Sequence, residues 1–375
     1  MRAAVLHEPG TALVVEDVLL DPPGAAEVLV RVAATGVCHS DLHLAEGHLG
    51  GRRWPIILGH EGAGVVEAVG ADVRHVAPGD HVALCFVPSC RACAFCRAGR
   101  FNLCQVAKDA AMTGMLLDGT SRPRLAGDGT PLKQFLCVGC FAERCVVPAA
   151  GAVPIPRDLP LWQAALVGCG VVTGFGAVRN VARVKPGDTV CVIGCGGVGL
   201  QVLAAAHFEG AGKIIAVDRD APKLERALLR GATHGVDSTR DNAVKEVLEL
   251  SEGGVDHAFE VVGRPETIRF AWDVLRPGGS AVVVGLAPRG VEAAVPAIEF
   301  LSEKSLRGTY YGSGDPVAEV GSLAELVASG QIDVAGVVSH LTDLDGIEEA
   351  FDRLRRGEGA RTVAVIDPEL AGSPS

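Results

Sequence analysis

Four cysteines fall within fifteen residues, at Cys90, Cys93, Cys96 and Cys104. Three thiols separated by two residues each, with seven residues before the fourth, have the form of one tetrahedral cage, and zinc prefers such a soft all-sulfur set. Four protein ligands leave no position for a substrate, so this cage would hold a fold together rather than do chemistry. Disulfides or unrelated buried thiols are the alternatives. An open site has to be sought among Cys38 in Gly36-Val37-Cys38-His39-Ser40-Asp41-Leu42-His43, His60 in Gly59-His60-Glu61-Gly62, and Cys169 in Gly168-Cys169-Gly170. Each is flanked by glycine or turn residues, as expected at strand ends facing a cleft. Two thiolates and one imidazole would leave a metal one open position for Lewis-acid chemistry. On spacing alone the trio is only a candidate, since a lone glycine-flanked cysteine is more often a small buried residue.

A third constellation is Gly194-Cys195-Gly196-Gly197-Val198-Gly199, which follows an apolar strand and opens a helix. Glycines there allow a tight turn and close approach of backbone to a pyrophosphate, and the helix N-terminus offers unpaired N–H groups to its oxygens. The next strand ends at Asp218, at the distance where a carboxylate accepts hydrogen bonds from an adenosine ribose. That carboxylate would repel the extra phosphate of NADP, so NAD is expected, although Arg219 follows directly and can offset part of the repulsion.

The elements that must position these residues differ between the two parts of the chain. Short apolar or alternating runs at 13–18, 27–34, 62–69 and 81–84 predict a β-rich first part with few helices before Pro160. Residues 110–140, broken by Asp-Gly and Arg-Pro pairs, are expected as a long excursion over the surface. From Lys185 onward strands and helices alternate: strand 188–193, helix 197–209, strand 213–218, helix 221–230, then 255–261, 267–275, 280–285 and 305–311. Repeated βα units imply a parallel sheet covered by helices on both faces. Helices near 316–329 and 346–355 and a strand at 361–366 follow, and that strand is expected to return to the first domain.

The formal charge of −11, with acidic and basic residues interspersed and no basic patch, argues against a nucleic-acid partner. No apolar stretch of membrane-spanning length stands out and the N-terminus lacks a signal-peptide core, so no membrane association and a cytoplasmic location are expected. In a reducing compartment the twelve cysteines are metal ligands or buried small residues rather than a disulfide framework. Cys85, Cys137, Cys140, Cys145, Cys191 and Cys195 are assigned to packing.

Taken in order, these motifs resemble those of the zinc-dependent medium-chain alcohol dehydrogenases, in the branch with a structural zinc lobe, over nearly the full chain. The resemblance implies an α/β protein: a GroES-like β-rich catalytic domain over 1–170 and 311–375, and a Rossmann doubly wound parallel-sheet domain over 171–310. It also implies a catalytic zinc on Cys38, His60 and Cys169, the Cys2His set known for alcohol dehydrogenase, and a structural zinc on the four-cysteine lobe. Glu61 matches an acidic neighbour of the metal, and Asp41 the carboxylate that orients the ligating histidine. Ser40 would begin a proton relay that ends at His43. His39 and Arg361 match positions touching the cofactor pyrophosphate, Lys223 the adenosine ribose, and Thr173 a further cofactor contact.

The activity implied is NAD-linked hydride transfer from a zinc-bound alkoxide, interconverting primary alcohols and aldehydes. Phe86, Phe135, Leu136, Leu286 and Tyr310 match pocket positions, an apolar lining suited to hydrophobic or aromatic substrates. One branch of the family oxidises the thiol adduct of formaldehyde and carries acidic residues near the pocket mouth. The basic segment with Arg52 and Arg53 argues against a glutathione-type substrate, while leaving another carrier thiol met by Arg52, Arg53 or Lys108. A non-enzymatic zinc- and NAD-binding sensor is the alternative of another class, but it would not need Ser40 and His43. A homodimer or homotetramer is implied, with the apolar run 291–301 as an edge.

Overall fold

The computed structural model describes residues 1–49 and 54–372. Arg52 and Arg53, singled out as partners for a carrier thiol, lie outside the described residues. The chain divides into two compact units, Met1–Cys169 with Asp315–Ser375, and Gly170–Gly314.

In the first unit the strand Glu27–Val37 is the hub of a seven-stranded sheet. Its β-branched residues fit a pleated, buried surface, and three strands pair with it, all antiparallel. Glu61–Val69 takes one edge, while Arg144–Pro148 and Arg361–Val365 share the other between its two halves. Gly36 lies opposite Glu61 and Val37 opposite Thr362. Three neighbouring strands therefore deliver Cys38, Glu61 and Arg361 to one end of the sheet, and the C-terminal strand returns to the first unit.

A second, five-stranded sheet runs Pro123–Leu125, Val14–Leu20, Arg2–Leu6, Ile56–Ile57, Lys133–Gln134. Two of its strands come from 110–140, so this segment is not the surface excursion expected. It continues from the helix Gln105–Thr113, and it buries Leu116, Leu132, Phe135 and Cys137. Its apolar residues are spaced singly between turns and show no period, which hid both the strands and the burial. Arg122 anchors it: the guanidinium donates to both oxygens of the buried Glu27, at 2.8 Å each, and to Asp118 at 2.9 Å. Helices before Pro160 are also more frequent than expected, at His39–Ala45, Ala94–Arg97 and Gln105–Thr113.

The second unit holds a six-stranded, wholly parallel sheet in the order His234–Asp237, Lys213–Asp218, Thr189–Ile193, Val255–Glu260, Leu275–Val283, Ser305–Gly308. The chain winds outward from Thr189–Ile193 and then returns to its other side, a switch point of the kind where α/β sheets bind ligands. The strand His234–Asp237 and the helix Ala243–Leu250 were not foreseen; both are short, and the strand carries only one fully buried residue, Val236.

One helical stretch, Leu161–Ala182, is long and apolar enough to cross a bilayer, which corrects the expectation that no such stretch exists. Its most apolar 18-residue window has a mean hydropathy of 1.6, but 89% of that window is buried inside the protein, as in the core helix of a globular fold. Loss of Arg122 should leave the Glu27 carboxylate buried and unpaired. Arg122→Ala is expected to cost about 3 kcal/mol in urea unfolding, and an unchanged midpoint would show that the anchor is dispensable.

Candidate active site

The ligand atoms of Cys38, His60, Glu61 and Cys169 all lie within 4.8 Å of one another, and all four residues are buried. Cys38 follows the hub strand and caps the helix His39–Ala45; His60 directly precedes the neighbouring strand and Glu61 begins it. Cys169 comes from the helix Leu161–Ala182, where the turn Val167–Val171 widens to π-helical geometry.

Asp41, fully buried, joins these pieces. Its Oδ2 accepts the Cys38 N–H at 3.3 Å, closing the helix cap, and its Oδ1 accepts the Gly59 N–H at 2.9 Å and lies 3.1 Å from His60 Nδ1. With Nδ1 bonded to a carboxylate, Nε2 is the ring nitrogen turned toward Cys38 and left to act as a ligand. Two phenyl rings grip the imidazole edge-on, Phe86 with centroids 5.3 Å apart and Phe135 at 5.4 Å. Both rings are buried, so whatever else they line, they hold His60 upright.

The electrostatics suit a cation. The Cys38 thiol is held well below its ordinary pKa, chiefly by a hydrogen bond from Cys169, with Arg361 and His60 adding positive charge. Cys169, as the donor, is raised. Burial depresses His60, but Asp41 and Cys38 together outweigh it and hold the ring well above the usual imidazole value. Burial pushes Glu61 up to about 7, against the pull of Arg361. Both Glu61 carboxylate oxygens are buried without a hydrogen-bond partner, although Arg361 Nη1 stands 3.1 Å from Oε1. Orphaned carboxylate oxygens beside two thiols and an imidazole nitrogen fit a bound metal ion. Arg361, expected at a pyrophosphate, is turned into this cluster and donates to Val37 O at 3.2 Å.

Ser40 Oγ lies 3.8 Å from Cys38 Sγ. His43, one turn further along the helix, is half-buried; burial and the neighbouring His48 lower its pKa. His39 is exposed at the helix start. Of the remaining pocket positions, Leu136 is half-buried in the first unit, while Leu286 and Tyr310 are exposed in the second.

In the lobe, the four sulfurs of Cys90, Cys93, Cys96 and Cys104 likewise converge within 4.8 Å, with Cys90 and Cys96 at 4.0 Å. Sulfurs about 2.3 Å from one tetrahedral zinc stand about 3.8 Å apart. All twelve cysteines are free thiols, so the disulfide alternative falls. Backbone N–H groups of Cys96 and Gln105 lower Cys93 to about 6, whereas burial and the neighbouring thiols raise Cys96 to about 12. A cage that favours one thiolate and resists another is balanced by a cation at its centre. The lobe is tied down by Arg91, which stacks on Phe101 at 4.2 Å and pairs with Asp315.

In the second unit the glycine turn leads into the helix Gly197–Phe208, whose first N–H groups, on Gly197, Val198 and Gly199, have no carbonyl partner within the helix. A side chain at Gly199 would stand 1.8 Å from Gly194 O, so only glycine lets the helix close on the turn; one at Gly196 would meet nothing within 4 Å, leaving an open approach. Asp218 Oδ2 accepts the Cys195 N–H at 2.7 Å, which places the carboxylate beside that approach. Lys223 is half-buried on the following helix, Thr173 half-buried and Arg219 exposed. Sequence reasoning missed Glu260, fully buried at a strand end, whose Oε1 accepts from Val262 N, Gly263 N and Thr267 Oγ1 within 2.8 Å. It also missed a convergence of His43 with Glu46 and His48, for which the pattern His-x-x-Glu-x-His was the available signal.

The family models matched are the alcohol dehydrogenase GroES-like domain over residues 24–157 and the zinc-binding dehydrogenase domain over 197–329. An S-(hydroxymethyl)glutathione dehydrogenase of Photobacterium damsela subsp. piscicida is 38% identical over 96% of this chain and 98% of its own. The chain belongs to the zinc-dependent medium-chain alcohol dehydrogenases. Among solved structures, this alcohol dehydrogenase family member is similar to an alcohol dehydrogenase zinc-binding domain protein from Burkholderia ambifaria, with a TM-score of 0.93 and 34% identity over 97% of this chain and 98% of that one. It is also similar to the benzyl alcohol dehydrogenase of Acinetobacter calcoaceticus, with a TM-score of 0.91 and 31% identity over 97% and 99% of the two chains. As an alcohol dehydrogenase family member the protein is an oxidoreductase whose cofactors are zinc and NAD.

Close packing around Glu61 gives a direct test of the site's geometry. A Cβ at Gly36 would stand 2.2 Å from Glu61 Oε2, so Gly36→Ala must displace the carboxylate that pairs with Arg361. A loss of about 1–3 kcal/mol is expected in urea unfolding; wild-type stability would mean that the carboxylate has room to move.

Proposed function

We propose that the protein interconverts primary alcohols, preferably hydrophobic or aromatic ones, and their aldehydes. The observation that carries this reading is the buried convergence of Cys38, His60 and Cys169 with Asp41 bonded behind the imidazole. Those three residues would hold the catalytic zinc, with Glu61 beside it, and Cys90, Cys93, Cys96 and Cys104 would hold the structural one. Gly194, Gly196, Gly197, Val198 and Gly199 would hold the NAD pyrophosphate, and Asp218 and Lys223 its ribose. Thr173, His39 and Arg361 are assigned as further cofactor contacts; Arg361 would have to share its guanidinium with Glu61. When bound, zinc lowers the pKa of an alcohol hydroxyl and NAD accepts the hydride.

The chain's own residues supply orientation and a proton path. Asp41 orients His60, Phe86 and Phe135 fix its ring, and Ser40 would begin a relay, taking the hydroxyl proton as it passes its own on toward His43, which releases one to solvent. The lowered pKa of His43 keeps it neutral, and so able to accept, to lower pH than an ordinary histidine. Leu136, Leu286 and Tyr310 are assigned to the substrate pocket with the two phenyl rings.

A second reading, oxidation of a hydroxymethyl-thiol adduct, is favoured by the name of the Photobacterium relative. The exposed Lys108 on Gln105–Thr113 is available to a carrier carboxylate. A homodimer or homotetramer joined through the run 291–301, in which Ile298 and Leu301 are exposed, is proposed as the assembly.

A substrate panel separates the readings. Zinc-replete protein with NAD should form NADH on benzyl-type and medium-chain primary alcohols, and turnover confined to hydroxymethyl-thiol adducts would replace the first reading by the second. NAD binding without turnover on any member would sink both. Cys96→Ser is expected to lower melting temperature and zinc content while the hydride-transfer rate of the metallated fraction stays at wild type. A fully metallated, stable variant with a slower chemical step would contradict the division between the two metal centres.

A further inference from the structure

The helix His39–Ala45 ends in a turn that folds its own chain back. Glu46 N bonds Leu42 O at 2.9 Å, Gly47 takes a left-handed backbone with φ +78°, and His48 N bonds His43 O at 2.9 Å. This is the six-to-one closure of a Schellman motif, in which the residue after the glycine lies back over the last helical turn. His48 is thereby set against His43, with Nδ1 atoms 3.2 Å apart and ring centroids 5.5 Å apart. Glu46 Oε2 stands 3.6 Å from His48 Nδ1, past hydrogen-bonding range.

These spacings are those of ligands around one ion. Two nitrogens each about 2.0–2.1 Å from a tetrahedral zinc stand about 3.3 Å apart, and a nitrogen and an oxygen at a wider angle about 3.5 Å. The third member of the set is braced from behind. Glu46 gives its other oxygen, Oε1, to Arg355 Nε at 3.1 Å, and Arg355 Nη1 is held by Asp352 at 2.6 Å and Glu348 at 3.3 Å. One carboxylate oxygen oriented by a guanidinium and the other facing two imidazoles is the arrangement of a supported metal ligand. His43, His48 and Glu46 share no residue with the two cysteine centres.

We propose that His43, Glu46 and His48 form a third, surface metal site, which takes zinc or another late first-row divalent ion when free metal is in excess, and that filling it blocks proton exit through His43. The binding half stands on geometry alone; the inhibitory half rests on the relay role assigned to His43 above. Imidazole and carboxylate ligands without thiolate favour nickel and copper at least as strongly as zinc, so nickel is a suitable probe that leaves the cysteine centres with their zinc.

The test uses full-length enzyme loaded with zinc at both cysteine centres and freed of loose metal, titrated with nickel by calorimetry near neutral pH. One further equivalent per chain is expected, with affinity reduced at least about tenfold in both His48→Gln and Glu46→Gln. Alcohol oxidation, read on the alkaline side of neutral where His43 is neutral in all three proteins, should fall with the same nickel midpoint as binding, while both variants keep the wild-type rate without nickel. Absence of the further equivalent, or equal nickel affinity in wild type and both variants, overturns the site. A further equivalent that the variants lose, with no effect on the wild-type rate, keeps the site and removes His43 from the proton path. Nickel binding in a protein that oxidises no alcohol keeps the site and overturns the proposed function instead.

Discussion

A single buried carboxylate, that of Asp41, holds the catalytic unit's active end together. It accepts from the Cys38 and Gly59 N–H groups and from His60 Nδ1, joining the start of the first helix to the loop that precedes a sheet strand. Each bond to a charged acceptor contributes about 1.5–3 kcal/mol, and no other described contact spans the same three backbone positions. The carboxylate tolerates burial because its oxygens are bonded, and it settles two matters at once. The helix begins at His39, which fixes where Ser40 and His43 lie, and the imidazole presents one defined nitrogen to the two thiols.

Around that anchor the charges remain unequal until a cation is added. Cys38 is biased toward thiolate, Glu61 is pushed up to about 7 by burial, and Arg361 and His60 are the positive groups facing them. Arg361 arrives from the far end of the chain, on a strand whose pairing with the hub strand sets it beside Val37 O. The first unit is therefore closed by its last strand, and the same strand closes the site. The lobe repeats the pattern with sulfur alone, where backbone N–H groups favour some thiolates and burial resists others.

Much of this was legible because the informative residues are close in sequence. Cys90 to Cys104, the glycine turn and Asp218 each carry their spacing with them; the turn and Asp218 lie on the elements expected, whereas the helix that carries Cys96 was not foreseen. Cys38, His60 and Cys169 do not; local pattern made them candidates, and only the order of several motifs tied them together. What stayed hidden was tertiary. The segment 110–140 hides its burial because isolated apolar residues such as Leu116 and Leu132 find partners in other strands, and Phe135 is fixed by packing on an imidazole far away in the chain. The Glu61–Arg361 pair joins two elements three hundred residues apart, and Glu260 satisfies backbone N–H groups whose orphan state exists only in the folded turn. His43, Glu46 and His48 are near neighbours, yet the return of His48 depends on a positive φ at Gly47.

Cys169 occupies a wide helical turn, Val167–Val171, in a helix whose flanking stretches are almost wholly buried. Widening a turn accommodates one extra residue while the helix on either side keeps its own packing face. The sulfur ligand therefore stands where the regular repeat is interrupted, and the hydrophobic faces before and after it are out of phase by one position. The repeat is interrupted a second time at Ala177–Ala182, so only short regular pieces flank the ligand. A fold that keeps its ligand on such a local frameshift binds the sulfur's position to the residue count of the helix, so that losing or gaining one residue there would turn the thiol away from its partners.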